Sequence, residues 1–235
     1  MTVIALISAK HAPGTTTAAV AMALATGHGA LVVEADPHGG DIAARARVPL
    51  EPGLITMAAA GRHLASPLPV HTQALPSGVE AVVAPTEPQQ ASTALAAVAD
   101  RLVPALQERG NAFVDCGRWS PVTAVSTIFS ACDMVVVVAE PSVAGIEHVR
   151  ARREAMQAVS ARLTVLLVGD RPYGPRDVEA ALGLPTVGPL PMDPGGAFEV
   201  YAGSARPARK SALCRAARAS LEQLVELHIP TEVPA

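Results

Sequence analysis

Short segments that are apolar throughout recur along the chain, and they constrain its fold more than any other feature. They are TVIALIS (2–8), ALVVEA (30–35), VEAVVAP (79–85), NAFVDC (111–116), DMVVVVAE (133–140) and LTVLLVG (163–169). Strands without polar alternation are typical of a parallel sheet that is covered on both faces. The sequence therefore predicts the α/β class, with a doubly wound, mostly parallel sheet flanked by helices.

Longer, alanine-rich runs predict the helices that cover this sheet. The helical segments are 16–26, 89–109, 122–131, 143–161 and a last helix over 211–227. Two strand-like pieces around Pro76, Ser77 and Gly78 predict a hairpin at one edge of the sheet. The stretch 171–209 is rich in proline and glycine and predicts loops with one short helix and one short strand.

Length and composition limit the class of protein. The length of 235 residues favours one large domain over two small ones, so we expect a single domain over 1–235 with a flexible tail at 228–235. Charged residues make up 17% and the net charge is −3, which argues against a disordered chain and a strongly basic nucleic-acid binder. Cys116, Cys132 and Cys214 form no CxxC pair that would predict a zinc site.

The same features predict the compartment. Three widely spaced cysteines fit a reducing cytoplasm. The segment MTVIALISAK has no leading basic region, and no apolar run approaches the roughly 20 residues of a membrane-spanning helix. We therefore expect a cytoplasmic protein that is at most peripheral at a membrane or the nucleoid.

The stretch SAKHAPGTTTAAVAMA (8–23) has the outline of a phosphate-binding loop that opens a helix. Backbone amides and the positive end of the helix suit such a loop to phosphate. The working pattern GxxxxGK[ST] adds a lysine for the outer phosphates and a hydroxyl for magnesium. Here Thr15 stands at the lysine position, and Thr16 keeps the hydroxyl.

The loop sequence KHAPGTT resembles the KGGxGKT loop of the ParA/MinD family of deviant-Walker ATPases. The resemblance places Lys10 on the family's signature lysine, Gly14 on its last glycine and Thr16 on the magnesium-binding hydroxyl. His11, Ala12 and Thr15 depart from the family pattern.

Two further segments resemble the family in the same order. VVEADPHGGD is similar to the family's DxDPQG segment, which implies that Asp36 positions an attacking water and that Glu34 replaces an earlier aspartate. AFVDCG is similar to the Walker B strand, which implies that Asp115 reaches magnesium through water and that Gly117 belongs to the second switch.

The carboxyl-terminal third continues the resemblance, which covers about four fifths of the chain. CDMVVVVAEPSVAGIEHV, VGPLPMDP and AGSARP are similar to a strand and helix start, a base-binding loop and its ending in the family. This implies that Pro191, Met192 and Asp193 frame an adenine. The asparagine that often precedes the base pocket in the family is absent from VLLVGDRPY.

Other interpretations of these residues stay open. Asp36 and Asp115 follow or end strands, where open α/β sheets bind ligands, but each is also compatible with a solvated loop acid or a helix cap. Thr15 and Thr16 also suit a helix cap, and Lys10 is equally compatible with an ordinary surface lysine. Trp119 is either a core residue or a partner contact.

The missing loop lysine decides which function we expect first. Loss of a desolvated charge partner costs about 2 to 5 kcal/mol, so the missing lysine should weaken triphosphate binding by roughly 30- to 3000-fold. We therefore expect a scaffold or regulator in intracellular positioning, such as chromosome or plasmid partitioning, septum placement, or a pilus or secretion apparatus. The resemblance implies a homodimer and a protein partner, with ATP or ADP and magnesium bound weakly or not at all.

The alternatives come from other classes. One is a magnesium-dependent ATPase switch that dimerises on ATP and uses Lys10 of the partner copy. Another is an adaptor for nonspecific DNA or anionic membrane through a basic carboxyl-terminal cluster, although a solvated helix face would have the same composition. The cluster consists of Arg206, Arg209, Lys210, Arg215 and Arg218.

Overall fold

A computed structural model describes residues 2–10, 13–27, 29–61, 68–119, 123–160 and 162–228. Residues 229–235 of the predicted tail at 228–235, and the loop residues His11 and Ala12, lie outside these ranges, while His228 is the last residue of a helix.

The described residues contain one mixed sheet and the helices around it. The strands are β1 Val3–Ser8, β2 Leu31–Glu34, β3 Gln73–Ala74, β4 Glu80–Val82, β5 Ala112–Arg118, β6 Met134–Ala139, β7 Leu163–Val168 and β8 Thr186–Leu190. The helices are α1 Thr15–Thr26, α2 Ile42–Ala46, α3 Leu54–Ala59, α4 Pro88–Arg109, α5 Thr123–Ala131, α6 Val143–Arg150, α7 Arg153–Gln157, α8 Pro175–Leu182, α9 Pro194–Ala202, α10 Ala205–Lys210 and α11 Ala212–His228.

The sheet has the strand order β3-β4-β2-β5-β1-β6-β7-β8. Every strand pair is parallel except β3 with β4, which is antiparallel. This arrangement confirms the predicted doubly wound α/β fold, and β3 with β4 forms the predicted edge hairpin. All parallel strands end at the same edge of the sheet, so the loop after central β1 lies beside the ends of β5 and β6.

The core consists of two layers, one on each face of the sheet. Along β1, Val3, Ala5 and Ile7 pack on one face, while Ile4 and Leu6 pack on the other. Buried side chains of α3–α8 cover the first face, and those of α1, α2 and α9–α11 cover the second. This two-sided burial explains why the strand sequences are apolar without alternation.

Two helical predictions differ from the structure. The predicted helix 143–161 is divided into α6 and α7, and the guanidinium of Arg153 at the start of α7 donates a hydrogen bond to the Leu182 carbonyl at 2.6 Å. The stretch 171–209 holds three helices and β8. Pro175 and Pro194 each occupy the first helical position, where a missing N–H is tolerated, so prolines that predicted loops begin helices instead.

The last helix lies where the sequence predicts it. The last helix spans Ala212–His228 and confirms the predicted helix over 211–227. Within the described ranges, no helix combines the length and apolar character needed to traverse a bilayer.

Candidate nucleotide site

The loop between β1 and α1 brings the predicted phosphate-binding residues to the carboxyl edge of the sheet. Gly14 has φ +93°, a left-handed conformation that favours glycine, and α1 begins at the next residue. The Ala18 N–H donates to the Gly14 carbonyl at 2.8 Å, which closes the first helical turn. The free amides at the amino end of α1 therefore face the space beyond the ends of β2 and β5.

A polar cavity of about 330 Å³ occupies this space. It joins the loop, the start of α1, the loop after β2 and the end of β5. Its lining residues are Ser8, Gly14, Thr15, Thr16, Thr17, Glu34, Asp36, His38, Gly39, Asp41, Arg45, Asp115, Gly117 and Arg118. The structure thus brings six predicted site residues together, namely Gly14, Thr15, Thr16, Asp36, Asp115 and Gly117.

Asp115 lies deep in the cavity with only 2% of its surface exposed. Burial raises the pKa of its carboxyl to about 6, although hydrogen bonds from the Thr16 hydroxyl and the Gly117 N–H act in the opposite direction. The Gly117 N–H donates to Asp115 Oδ1 at 3.0 Å. Thr16 and Asp115 therefore lie in direct contact.

The Thr16 hydroxyl and the Asp115 carboxylate fit a magnesium ion by their chemistry. Magnesium prefers oxygen ligands and usually keeps several waters and a phosphate oxygen, so few protein ligands are needed. Within the described part of the chain, no group of three or more His, Cys, Asp or Glu side chains is arranged to hold a metal by itself. A magnesium ion held by Thr16 and Asp115 would take its remaining ligands from water or from a bound phosphate.

Glu34, at the end of β2, is 1% exposed and fixes the loop that carries Asp36. Its carboxylate accepts hydrogen bonds from the backbone N–H groups of Asp41 at 2.6 Å, Ile42 at 2.7 Å and Ala84 at 2.9 Å. Burial raises the pKa of Glu34 to about 7 against the effect of these bonds. The side chain thereby ties the loop before α2 to the segment after β4.

Asp36 is held between this loop and the end of β5. Its Oδ1 accepts the backbone N–H of His38 at 2.8 Å and lies 3.1 Å from Nδ1 of the same histidine. Gly117 has φ +64°, and a Cβ at that position would overlap Asp36 Oδ2. Glycine at position 117 therefore allows the two segments to meet.

An apolar cavity of about 230 Å³ adjoins the polar one and shares Gly14 and Thr17 with it. Its lining includes Pro13, Ala18, Glu140, Val168, Leu190, Pro191, Met192, Asp193, Pro194, Ala197 and Leu213. The Asp193 carboxylate accepts the N–H of Gly196 at 2.8 Å and that of Leu213 at 3.2 Å. Asp193 and Pro191 thus line an apolar space, while the hydrogen bonds of Asp193 go to the starts of α9 and α11.

Other predicted residues lie away from the polar cavity. Lys10 is exposed and lines a separate small cavity with Pro13 and Glu140. Trp119 is partly buried against the core, and its ring stacks on Phe129 with centroids 5.5 Å apart. The basic cluster lies on α10 and α11, where Arg206, Lys210, Arg215 and Arg218 are exposed and Arg209 is half-buried.

Three residues of the site have no motif that would have predicted them. Arg45 and Arg118 line the polar cavity. The Tyr201 hydroxyl lies 3.0 Å from Thr17 Oγ1, and the Arg45 guanidinium lies 5.5 Å from the Tyr201 ring centroid. These contacts join segments that are distant in sequence, so no local pattern reports them.

A mostly parallel sheet whose central strand leads through a glycine-containing loop into a helix is typical of phosphate-binding α/β folds, among them the P-loop NTPases. No family model matches the sequence, and no curated protein does. Solved structures do: a ParA family ATPase from Chlorobium tepidum superposes with a TM-score of 0.78 at 17% identity, over 97% of this chain and 99% of that chain.

Two MinD structures are similar over comparable lengths. The septum site-determining protein MinD from Pyrococcus horikoshii, complexed with Mg-ADP, gives a TM-score of 0.76 at 13% identity, over 96% of each chain. The MinC:MinD cell division protein complex of Aquifex aeolicus gives 0.73 at 13% identity, over 99% of this chain and 98% of that chain. At these identities the likeness establishes the fold, and the chain has the ParA/MinD-type fold that its motifs predict.

Proposed function

We propose that the protein is a ParA/MinD-like scaffold or regulator in an intracellular positioning system, and that it has lost efficient ATP hydrolysis. The observation that carries this proposal is the position of Thr15. It is the first residue of α1 and lines the polar cavity. In the motif resemblance it stands at the position of the loop lysine.

The charges around the cavity support the loss of turnover. Four carboxylic acids line it, namely Glu34, Asp36, Asp41 and Asp115, against two arginines, Arg45 and Arg118. Arg45 already forms an ion pair with Asp41 at 3.0 Å. A triphosphate would therefore meet more negative than free positive charge, and the loop lysine that normally offsets this repulsion is missing.

The remaining groups define what a bound nucleotide would meet. Thr16 and Asp115 would hold magnesium, which would supply charge neutralisation at the phosphates. Asp36 lies in the same cavity, where it would orient a water. The apolar cavity with Pro191 and Asp193 would take the base. The parts of a switch are thus kept, while the charge that tightens triphosphate binding is not.

The positioning role follows from the fold. The MinD chain that resembles this one over nearly its full length is found with MinC in one complex. By analogy, we propose that this protein forms a homodimer in the cytoplasm, and that a partner protein recognises it. The cargo class is that of the ParA/MinD family, namely chromosomes, plasmids, division sites or surface machines.

Calorimetry with ATP and magnesium, combined with an assay of phosphate release, tests the proposal. We expect no steady release of phosphate from purified wild-type protein and no dissociation constant in the low micromolar range. Sustained phosphate release, or low-micromolar affinity for ATP with magnesium, would overturn it.

The second candidate function is a magnesium-dependent ATPase that is completed by dimerisation. The direct contact of Thr16 with Asp115 and the exposed position of Lys10 outside the polar cavity favour it, because Lys10 is free to reach a second copy. This candidate predicts ATP hydrolysis together with a doubling of mass on ATP addition, and loss of both in Lys10→Ala. Scattering measurements with and without ATP decide between the two functions.

A further inference from the structure

We propose that Arg118 is the cationic anchor of an oligophosphate site in the polar cavity, so that positive charge reaches the phosphates from the end of β5 and not from the loop. This inference rests on the proposed function only in taking the polar cavity as the phosphate site. It concerns a residue that lies outside the loop and outside the motifs described above.

A bulge in β5 aims Arg118 at the cavity. In the register of β1 with β5, Leu6 lies opposite Asp115 and Ser8 lies opposite Arg118. The chain therefore advances three residues along β5 where it advances two along β1, so β5 contains one extra residue. Side chains alternate along a strand, and Arg118, three residues after Asp115, would otherwise point to the opposite face. The extra residue cancels this alternation, and Arg118 shares the α1 face of the sheet with Leu6, Ser8 and Asp115.

Gly117 makes the bulge possible. Its φ of +64° is left-handed, and its missing Cβ leaves room for the Asp36 carboxylate. The N–H of Trp119 donates to the Ser8 carbonyl at 2.8 Å, which fixes the chain on the far side of the bulge. Arg118 is therefore held beside Ser8, where the phosphate-binding loop begins. Bulges next to binding sites commonly redirect a side chain in this way.

The Arg118 guanidinium is available for a ligand. Among the described residues it forms no hydrogen bond and no ion pair, and its side chain is exposed at the cavity. Arg45 differs, because its guanidinium is paired with Asp41 and lies over the Tyr201 ring. Arg118 is thus the lining arginine whose charge is not already committed.

A second, independent feature points to a ligand in the same place. Thr15 is 5% exposed, and its buried hydroxyl has no hydrogen-bond partner within the described ranges. A buried polar group without a partner is unfavourable, and a rotation of the Thr15 side chain would let a ligand oxygen beside the start of α1 satisfy it. Thr15 lines the same cavity as Arg118, and both groups are hydrogen-bond donors.

The chemistry of these donors defines the ligand class. A guanidinium offers a planar fork that binds phosphate oxygens in pairs, and the amino end of α1 adds backbone amides. Asp115 and Thr16 favour magnesium, which would reduce repulsion between phosphate and the nearby carboxylates. The fitting ligand is a magnesium-bound diphosphate group, either as inorganic pyrophosphate or as the phosphates of a nucleotide.

Titration calorimetry of wild type and Arg118→Gln with inorganic pyrophosphate and magnesium tests the inference. We expect saturable binding to wild type with a dissociation constant below about 1 mM, and at least about tenfold weaker binding to Arg118→Gln. Arg118→Lys should be intermediate, because an ammonium keeps the charge but loses the fork. The matched control is Arg162→Gln, which removes an exposed arginine next to the amino end of β7, at the opposite edge of the sheet.

Two results would overturn the inference. One is equal pyrophosphate affinity in wild type and Arg118→Gln; the other is no saturable binding to wild type. Thermal unfolding of each variant without ligand shows whether it is folded, and because Arg118 is exposed we expect unchanged midpoints.

A parallel titration with ADP identifies the source of the diphosphate. Tighter binding of ADP than of pyrophosphate assigns the site to a nucleotide, and equal binding assigns it to free pyrophosphate; both support Arg118 if the Gln variant is weaker. Failure of the proposed function is seen separately, because ATP turnover by wild type contradicts that function whether or not Arg118 contributes.

Discussion

Glu34 and Asp115 lie at paired positions of β2 and β5, and both carboxyls are buried. Burial raises both pKa values, to about 7 for Glu34 and about 6 for Asp115. Each folded-state pKa lies above the unfolded value, so the native state binds protons that the unfolded state releases. The resulting stability is fully present below the unfolded pKa and is lost as the pH rises through the folded pKa.

The first prediction is that the free energy of unfolding falls between about pH 4 and pH 7, the interval spanned by the unfolded and folded pKa values of the two carboxyls. The Glu34 shift, from 4.5 to about 7, corresponds to a loss on the order of 3 kcal/mol. Glu34→Gln cannot ionise and should flatten this decrease, leaving the share of Asp115. Urea unfolding at several pH values measures the slope, with Glu222→Gln on the exposed face of α11 as control. An identical slope in wild type and Glu34→Gln would contradict the prediction.

Thr15 allows a test of the missing charge by gain of function. Thr15→Lys should raise the affinity for ATP with magnesium by roughly 30-fold or more, because it restores a cation at the start of α1. Thr26→Lys adds the same charge at the other, exposed end of α1 and should leave the affinity unchanged. Calorimetry provides the measurement. Unchanged affinity in Thr15→Lys would mean that the loop departures at His11 and Ala12 matter more than the charge.

At the scale of elements, the ends of β2 and β5 meet through the bulge at Gly117. Asp36 lies on the loop after β2, and a side chain at position 117 would overlap it. The close approach couples the two segments that the sequence motifs assign to water positioning and to the second switch. A single glycine therefore supports the geometry of both.

Gly117→Ala should destabilise the fold more than Gly61→Ala does. Both glycines have similar left-handed φ values, +64° and +68°, but a Cβ at Gly61 meets no described atom within 4 Å. The φ strain alone costs about 1 to 2 kcal/mol, and the overlap with Asp36 adds to it only at Gly117. Denaturant unfolding of both variants measures the difference. Equal losses would show that Asp36 moves aside without cost.

The basic cluster on α10 and α11 is the basis of the third candidate function, an adaptor for nonspecific DNA or anionic membrane. The polyanion-binding interpretation predicts that wild type is retained on duplex DNA or anionic liposomes at low salt, and that Arg215→Glu with Arg218→Glu abolishes retention. Reversal of Arg150 and Arg152, on and just after α6, is the matched control and should have no effect. The solvated-face interpretation predicts no retention of any of these proteins.

At the scale of the whole molecule, the parallel topology brings the site together. β1 lies between β5 and β6, so the loop after β1 meets the ends of strands that are about a hundred residues away in sequence. Apart from Lys10, the predicted residues that follow β1, β2 and β5 consequently share one cavity. The adjoining apolar cavity arises because the loop after β8 returns to the same edge.

Much of this architecture could be predicted from local patterns. Continuous apolar strands and alanine-rich helices identify a sheet covered on both faces, because a strand that is buried on both faces needs apolar residues at every position. The helices α2, α3, α9 and α10 could not be predicted in the same way. They are short or begin at proline, and contacts with neighbouring elements stabilise them more than their own sequence does.

The amino-acid sequence by itself determined the α/β class, the loop that opens α1 and the absence of a lysine at Thr15, since these depend on residue type and spacing alone. Only the tertiary structure decided that Arg118 faces the polar cavity, that Lys10 lies outside it and that the Asp193 carboxylate is bonded to the starts of α9 and α11. The physical reason is that these positions depend on a strand bulge and on packing between distant segments, and neither leaves a local pattern in the sequence.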